Sequence, residues 1–71
     1  MKAIITQKDN LITRARVNEG MTAQQFAAKC GVCRAVIASI EAGQPIKAAS
    51  ARKVAAAIGR NVDDVFKIEL V

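Results

Sequence analysis

Four glycines divide this 71-residue chain into segments that are long enough only for short helices. Gly20, Gly31, Gly43 and Gly59 are separated by 11, 12 and 16 positions. Glycine commonly marks the end of a helix, because it adopts the left-handed conformation that stops one. The segments between the glycines contain most of the chain's 14 alanines, and alanine is the strongest helix former. The glycine spacing therefore predicts an all-α chain of short helices.

The helix start and stop signals predict five elements. Asp9 or Asn10 can cap the first helix, Thr22 and Gln25 have the spacing of a capping box, and Asn61 can cap a last turn. The predicted helices cover residues 10–19, 23–30, 34–42 and 47–58, followed by the turn after Asn61. The length allows one domain only, over residues 1–71, with a thin core that dimerisation would stabilise.

The two ends of the chain have the character of strands. Residues 2–6 are rich in β-branched side chains, and residues 65–71 alternate between apolar and charged ones. We expect these ends to form a two-stranded ribbon, within one chain or across a dimer. Because an isolated ribbon is only marginally stable, the ends are also candidates for the dimer contact.

The charge of the chain predicts an anionic partner. Eleven basic residues face six acidic ones, and residues 22–53 contain five basic residues and one acid. The chain has no His, Tyr or Trp, which argues against histidine-based catalysis and against stacking on single-stranded bases. We therefore expect neither an enzyme nor a bound cofactor. No apolar run approaches the length of a membrane span, so we expect a cytoplasmic protein.

The most informative segment is residues 22–43, where two predicted helices are joined by about three residues around Gly31. Phe26 and Cys30 share one face of the first helix, and Ile37 and Ile40 share one face of the second. The short turn and the two apolar faces predict a helix-turn-helix. The outer side of the second helix then carries Cys33, Arg34, Ala35, Ala38 and Ser39.

These residues resemble the helix-turn-helix of the phage-repressor family (Cro/C1, or XRE-type). The resemblance is carried by Ala27, Gly31, Ile37, Ile40 and the segment Glu41-Ala42-Gly43, and it extends over residues 10–66. It implies a five-helix, lambda-repressor-like DNA-binding domain. Its recognition helix, about residues 33–42, would lie in the major groove.

The resemblance also implies roles for individual residues. Arg34 would bond the O6 and N7 atoms of guanine, Ala35 would contact a thymine methyl group, and Ser39 would reach a base edge or a phosphate. The backbone N–H groups of Thr22 and Ala23 would bind a phosphate. Arg16 and Glu41 match a buried ion pair that joins the first helix to the third. The expected DNA-binding residues are Thr22, Ala23, Gln24, Cys33, Arg34, Ala35, Ala38, Ser39, Gln44 and Lys47.

The chain departs from the family pattern at Cys33 and Lys47, where capping serines are frequent. Cys30 and Cys33 also form a Cys-x-x-Cys segment, which can indicate a redox or metal site. Here the pair spans a turn between helices, and two cysteines without histidine fall short of the four ligands that zinc needs. We therefore expect no metal site, with Cys30 in the core and Cys33 in place of a serine.

The resulting functional prediction is a homodimeric transcriptional regulator, a repressor, that binds a near-palindromic operator in double-stranded DNA. The alternative within the same fold is an antitoxin that binds a toxin partner and regulates its own operon. A thiol or metal module is the alternative outside this fold. The fifth helix competes with the chain ends as the predicted dimer contact.

Overall fold

The computed structural model describes all 71 residues and contains five α-helices and a small antiparallel sheet. The elements are β1 (Ala3–Gln7), α1 (Leu11–Asn18), α2 (Ala23–Cys30), α3 (Arg34–Glu41), α4 (Ala48–Ala57), α5 (Val62–Val65) and β2 (Phe66–Leu70). The predicted helical fold with a terminal ribbon is confirmed. None of the helices combines the length and the apolar character needed to cross a membrane.

The elements pack around one cluster of twelve buried residues, all of them apolar. Phe26 from α2 and Phe66 from β2 are its largest members, and each is about 1% exposed or less. The other buried residues are Ile5, Ile12, Ala27, Cys30, Ile37, Ile40, Ala51, Val54, Ala55 and Val65. Because both the recognition helix α3 and the terminal ribbon contribute to this cluster, the position of α3 depends on the whole fold.

The ribbon forms within the chain. Strands β1 and β2 pair antiparallel, with Ile5 opposite Ile68 and Ala3 opposite Leu70. The pairing continues beyond the strands, since Lys2 N–H donates to Val71 O at 2.7 Å and Val71 N–H donates to Lys2 O at 2.8 Å. The N-terminal residues therefore have a fixed position beside the helices.

Three further hydrogen bonds connect β1 to α1, to α3 and to the loop before α4. Ile46 N–H donates to Ile5 O at 3.1 Å on the edge of β1 that faces away from β2. The Gln7 amide donates to Ile40 O at 3.1 Å and to Thr13 Oγ1 at 3.0 Å. Gln7 thereby links β1, α1 and the last turn of α3 through one half-buried side chain.

The prediction that a side chain caps the first helix is wrong. Asn10 is the N-cap of α1, but it lies in the left-handed region at φ 55° and its side chain makes no capping bond. Side-chain capping needs an extended N-cap residue, whereas Asp9 and Asn10 both adopt positive φ where the chain turns from β1 into α1.

The predicted helices 1, 3 and 4 are one or two residues longer than the observed ones. In each case the difference lies at the helix ends, where the backbone hydrogen bonds change from the carbonyl four residues back to the one three residues back. Gly20 N–H bonds to Val17 O, and Gly59 N–H bonds to Ala56 O, three residues back. Such tightened last turns are common at helix ends and move the boundary by a residue or two.

Candidate nucleic-acid interface

The turn between α2 and α3 consists of Gly31, Val32 and Cys33. Gly31 has φ 74°, and Val32 N–H donates to Ala27 O at 3.0 Å, which ends α2 with a left-handed residue. No atom lies within 4 Å of the position that a Gly31 Cβ would occupy. Glycine is therefore required here for its backbone conformation and not for space.

The N-terminus of α2 has the predicted capping box. Gln25 N–H donates to Thr22 Oγ1 at 3.2 Å, and Thr22 N–H donates to Gln25 Oε1 at 2.9 Å. The Thr22 N–H group that we expected to face a phosphate is therefore already bonded within the chain. The unbonded backbone donors at this helix end are those of Ala23 and Gln24, because a helix leaves its first N–H groups without partners.

Helix α3 is buried along one side and exposed along the other. Ile37 and Ile40 are at most 1% exposed and lie in the core, whereas Arg34, Ala35 and Ala38 are exposed. Ser39 is half-buried. The expected outward side of the recognition helix is thus exposed, apart from this partial burial of Ser39.

The N-terminus of α3 is open. Cys33 is the N-cap residue and makes no side-chain capping bond, as expected for a residue that replaces serine. The first N–H group of α3 with a partner is that of Val36, which bonds to Cys33 O at 3.0 Å. The N–H groups of Arg34 and Ala35 make no hydrogen bond. This helix end presents donors and a partial positive charge to the surroundings.

An ion pair connects α1 to the end of α3. Arg16 Nε lies 2.6 Å from Glu41 Oε2, Arg16 Nη2 lies 3.0 Å from Glu41 Oε1, and Arg16 Nη1 donates to Met21 O at 3.0 Å. The hydrogen bond to Glu41 raises the pKa of Arg16 above its usual value, since it stabilises the charged guanidinium. The predicted connection between the two helices is present.

The same pair was expected to be buried, and in this respect the prediction is wrong. The side chains of Arg16 and Glu41 are 22% and 24% exposed. The side chains join the two helices near the surface, so part of each charged group keeps its contact with water. The pair fixes the position of α3 without burying an ionised group completely.

A shallow groove runs along α3 and combines residues from three parts of the chain. It brings together Ala35 and Ser39 of the expected site with Lys47, and it adds Lys2 and Ala3 from the N-terminus. Its remaining lining residues are Val36, Pro45, Ile46 and Ser50. Lys2 was not among the residues expected from the sequence, because its place beside α3 follows from the pairing of β1 with β2 and with Ile46.

The basic side chains that line this groove, and Arg34 at the start of α3, have no acidic partner. The ion pairs of the chain are Arg16–Glu41, Lys29–Glu19 and Lys67–Glu69. Arg34, Lys47 and Lys2 take part in none of them and are exposed. Their charges therefore remain available to an anionic ligand.

The remaining predicted residues lie near the turn or after α3. Thr22, Gln24 and Cys33 are exposed, Ala23 is half-buried, and Gln44 is exposed. Gln44 N–H donates to Ser39 O at 2.8 Å, which fixes it directly beyond the helix end. None of these five residues lines the groove.

The two cysteines have free thiols in different environments. Cys30 is 6% exposed and belongs to the core, and its burial raises the pKa of its thiol. Cys33 is exposed at the start of α3. The chain contains no group of three or more His, Cys, Asp or Glu side chains placed to bind a metal ion.

The comparisons with known proteins agree with this geometry. Residues 12–65 match a family model described as helix-turn-helix. The match covers about three quarters of the chain and runs from the second residue of α1 to the end of α5. No curated protein and no solved structure matches the chain significantly.

Proposed function

Because the chain belongs to the Cro/C1-type helix-turn-helix family of DNA-binding regulators, we propose that it binds an operator in duplex DNA as a homodimer and represses transcription. The observation that carries this proposal is the two-sided environment of α3. Ile37, Ile40 and the Arg16–Glu41 pair fix one side of the helix. The other side is exposed and bordered by unpaired basic residues, so it is free to enter the major groove.

In this proposal the sequence is read mainly by Arg34. It is exposed, it has no acidic partner, and it stands in the first turn of α3. A guanidinium can bond the O6 and N7 acceptors of guanine at the same time. Ala35 and Ala38 follow on the exposed side and are small enough to let α3 approach base edges and thymine methyl groups closely.

Phosphate contacts come from both sides of α3. Lys47 and Lys2 line the groove beside it, and Ala23 and Gln24 offer unbonded N–H groups at the start of α2. Such contacts fix the orientation of a protein on duplex DNA without carrying sequence information. Gln44, Thr22 through its hydroxyl group, and Cys33 remain further candidates at the edge of this interface.

Two features of the chain support a dimer. The buried core has only twelve residues, three of which are alanine, and a core of this size is marginal alone. Ile68, Leu70 and Val71 are 40%, 63% and 67% exposed at the end of the ribbon. A homodimer would present two recognition helices to half-sites about 34 Å apart, and such an operator is near-palindromic.

The proposal is tested by comparing substitutions on and beside α3. Arg34→Ala should reduce the preference for the selected operator over an unrelated duplex by about tenfold or more, because it removes a bidentate base contact. Lys47→Ala and Lys2→Ala should weaken binding to both duplexes similarly and lower the salt slope by about one each. Fluorescence anisotropy over a range of salt concentrations measures both effects.

Arg60→Ala is the matched control for loss of charge. Arg60 is exposed and lines a different groove, with Arg14 and Asp64, so its removal should leave the operator preference unchanged. If Arg34→Ala and Arg60→Ala had the same effect on both duplexes, α3 would not be the helix that reads the sequence.

A further inference from the structure

A second groove, the α1 groove, lies between α1 and the segment that runs from the end of α4 through α5. Helix α1 lines it with side chains that recur every three or four positions and so share one face of the helix, namely Leu11, Arg14, Ala15 and Asn18. The α1 groove has no lining residue in common with the groove along α3. The proposed DNA interface therefore gives it no role.

One end of the α1 groove is cationic. Arg14 of α1 and Arg60 from the connection between α4 and α5 both line it, both are exposed, and neither takes part in an ion pair. The carboxylate at this end, that of Asp64, accepts a hydrogen bond from Asn61 N–H at 3.1 Å and so serves the start of α5. Both guanidinium groups therefore remain available to carboxylate groups of a ligand.

The α1 groove continues from this end along α1 over a mostly apolar floor. The floor consists of three apolar side chains and one amide, namely Ala15, Ala57, Ile58 and Asn18. At the far end Glu19 and Lys29 form an ion pair with each other, so no unpaired charge remains there. From Leu11 to Glu19 the helix rises by about 12 Å, the length of about two helical turns.

An exposed apolar side chain stands beside the cationic end. Val17 is 60% exposed, and it is the only large apolar side chain of any helix that is exposed. It follows Arg14 by three positions on α1, which places the two side chains next to each other on the helix surface. The groove and its border therefore offer an elongated apolar surface with two unpaired arginines at one end, and such surfaces mark interaction sites.

We propose that the α1 groove binds an acidic, amphipathic segment of a partner protein. Carboxylates of the segment pair with Arg14 and Arg60, and its apolar side chains lie over Ala15 and Ile58 and against Val17. Charge complementarity selects this occupant, and an amphipathic helix laid into a groove is a common mode of peptide recognition.

Other anionic ligands fit the α1 groove less well. Duplex DNA would supply phosphates to the two arginines but no apolar group to the floor. A small organic acid would fill the cationic end and leave most of the 12 Å length, estimated as about 1.5 Å per residue of α1, uncovered. Because the two grooves have separate lining residues, the segment and an operator can bind the protein at the same time.

The experiment begins with a displayed library of random peptides about 12 residues long, or about three helical turns, which is selected on the immobilised protein. The enriched peptides should combine acidic residues at one end with apolar residues along one helical face. A labelled synthetic copy of the best peptide is then titrated by fluorescence anisotropy. Its affinity should fall at least about tenfold in the double variant Arg14→Glu/Arg60→Glu, because two attractive contacts become repulsive.

Arg52→Glu/Lys53→Glu is the matched control, with the same change in net charge. Both residues are exposed on α4 and line none of the grooves. At physiological salt this control should bind the peptide within about twofold of the wild type, because charges farther apart than about 8 Å are largely screened. Ala15→Met should weaken binding without any change of charge, since it fills the apolar floor. Circular dichroism verifies that each variant is folded.

The proposal is overturned if no peptide is enriched, if the enriched peptides lack acidic residues, or if both double variants lose the same affinity. It is also overturned if Arg14→Glu/Arg60→Glu weakens self-association in sedimentation equilibrium without peptide, because the occupant would then be a second copy of this chain. A loss of operator affinity beyond that of the matched control would assign the two arginines to DNA. Peptide binding that persists in a protein without any preferred DNA sequence would contradict only the operator-binding proposal.

Discussion

The two cysteines are only three positions apart, but they differ strongly in their exposure to solvent. Cys30 is buried in the core at the end of α2, and Cys33 is exposed at the start of α3. We expect a thiol reagent at pH 8 to modify Cys33 rapidly and Cys30 slowly, since burial both shields Cys30 and raises the pKa of its thiol. The Cys33→Ser variant should lose the fast phase, and denaturant should make Cys30 react fast.

The raised pKa of Cys30 also predicts a pH dependence of stability. The folded protein keeps this thiol neutral at a pH at which the unfolded chain ionises it, so its contribution to the free energy of unfolding is complete below about pH 8.5. That contribution is lost as the pH rises through the raised folded value. In the Cys33→Ser background, the stability lost by Cys30→Ala should therefore be smaller at pH 10 than at pH 7. An equal or larger loss at pH 10 would contradict this assignment.

The Arg16–Glu41 pair should matter more for the fold than the other ion pairs. Glu41→Gln should lower the melting temperature, because it removes the charge that two guanidinium nitrogens bond. Glu19→Gln is the matched control in the more exposed pair with Lys29, whose side chains are 36% and 34% exposed, and it should have the smaller effect. Circular dichroism measures both. Equal shifts in melting temperature would mean that the two bonds between Arg16 and Glu41 stabilise the fold no more than the exposed pair does.

At the scale of residues, the sequence predicted contacts within the helices better than contacts between distant segments. The Thr22 capping box was predictable, because both of its members lie within one helical turn. The role of Gln7 was not, since its partner Ile40 is 33 positions away. Lys2 beside α3 was missed for the same reason.

At the scale of elements, the Gly31 turn decides the angle between α2 and α3. Gly31→Ala should lower the free energy of unfolding by about 1–2 kcal/mol, because a Cβ in the left-handed region is strained. The surrounding space is open, so Gly31→Asn should cost less, since asparagine tolerates this region better. Denaturant titration of both variants checks the order. A larger loss for Asn than for Ala would show that size, and not backbone strain, limits this position.

The helices were more predictable than their junctions. The core positions of α2 and α3 were identified from their spacing, and Phe26, Cys30, Ile37 and Ile40 are all buried. The junction from β1 to α1 was not, because two successive left-handed residues replace the expected side-chain cap. The sequence predicted that the two terminal strands pair with each other, but it left open whether they do so within one chain or across a dimer, since alternation identifies a strand but not the chain that supplies its partner.

At the scale of the whole molecule, the fold gathers positive charge on one side of α3. Lys2 and Lys47 come from positions 45 residues apart and line the same groove, while much of the acidic charge is used in ion pairs with Arg16, Lys29 and Lys67. The net charge of +5 predicted an anionic partner from composition. Only the folded chain brings two of the unpaired lysines beside the recognition helix.

Operator binding is tested most directly by selecting binding sites from randomised duplex DNA with the purified protein near physiological salt. We expect a two-fold symmetric motif whose half-sites lie about one helical turn apart, because a dimer presents two copies of α3. The absence of any enriched motif, with only salt-sensitive binding to all sequences, would contradict the central claim that α3 reads an operator.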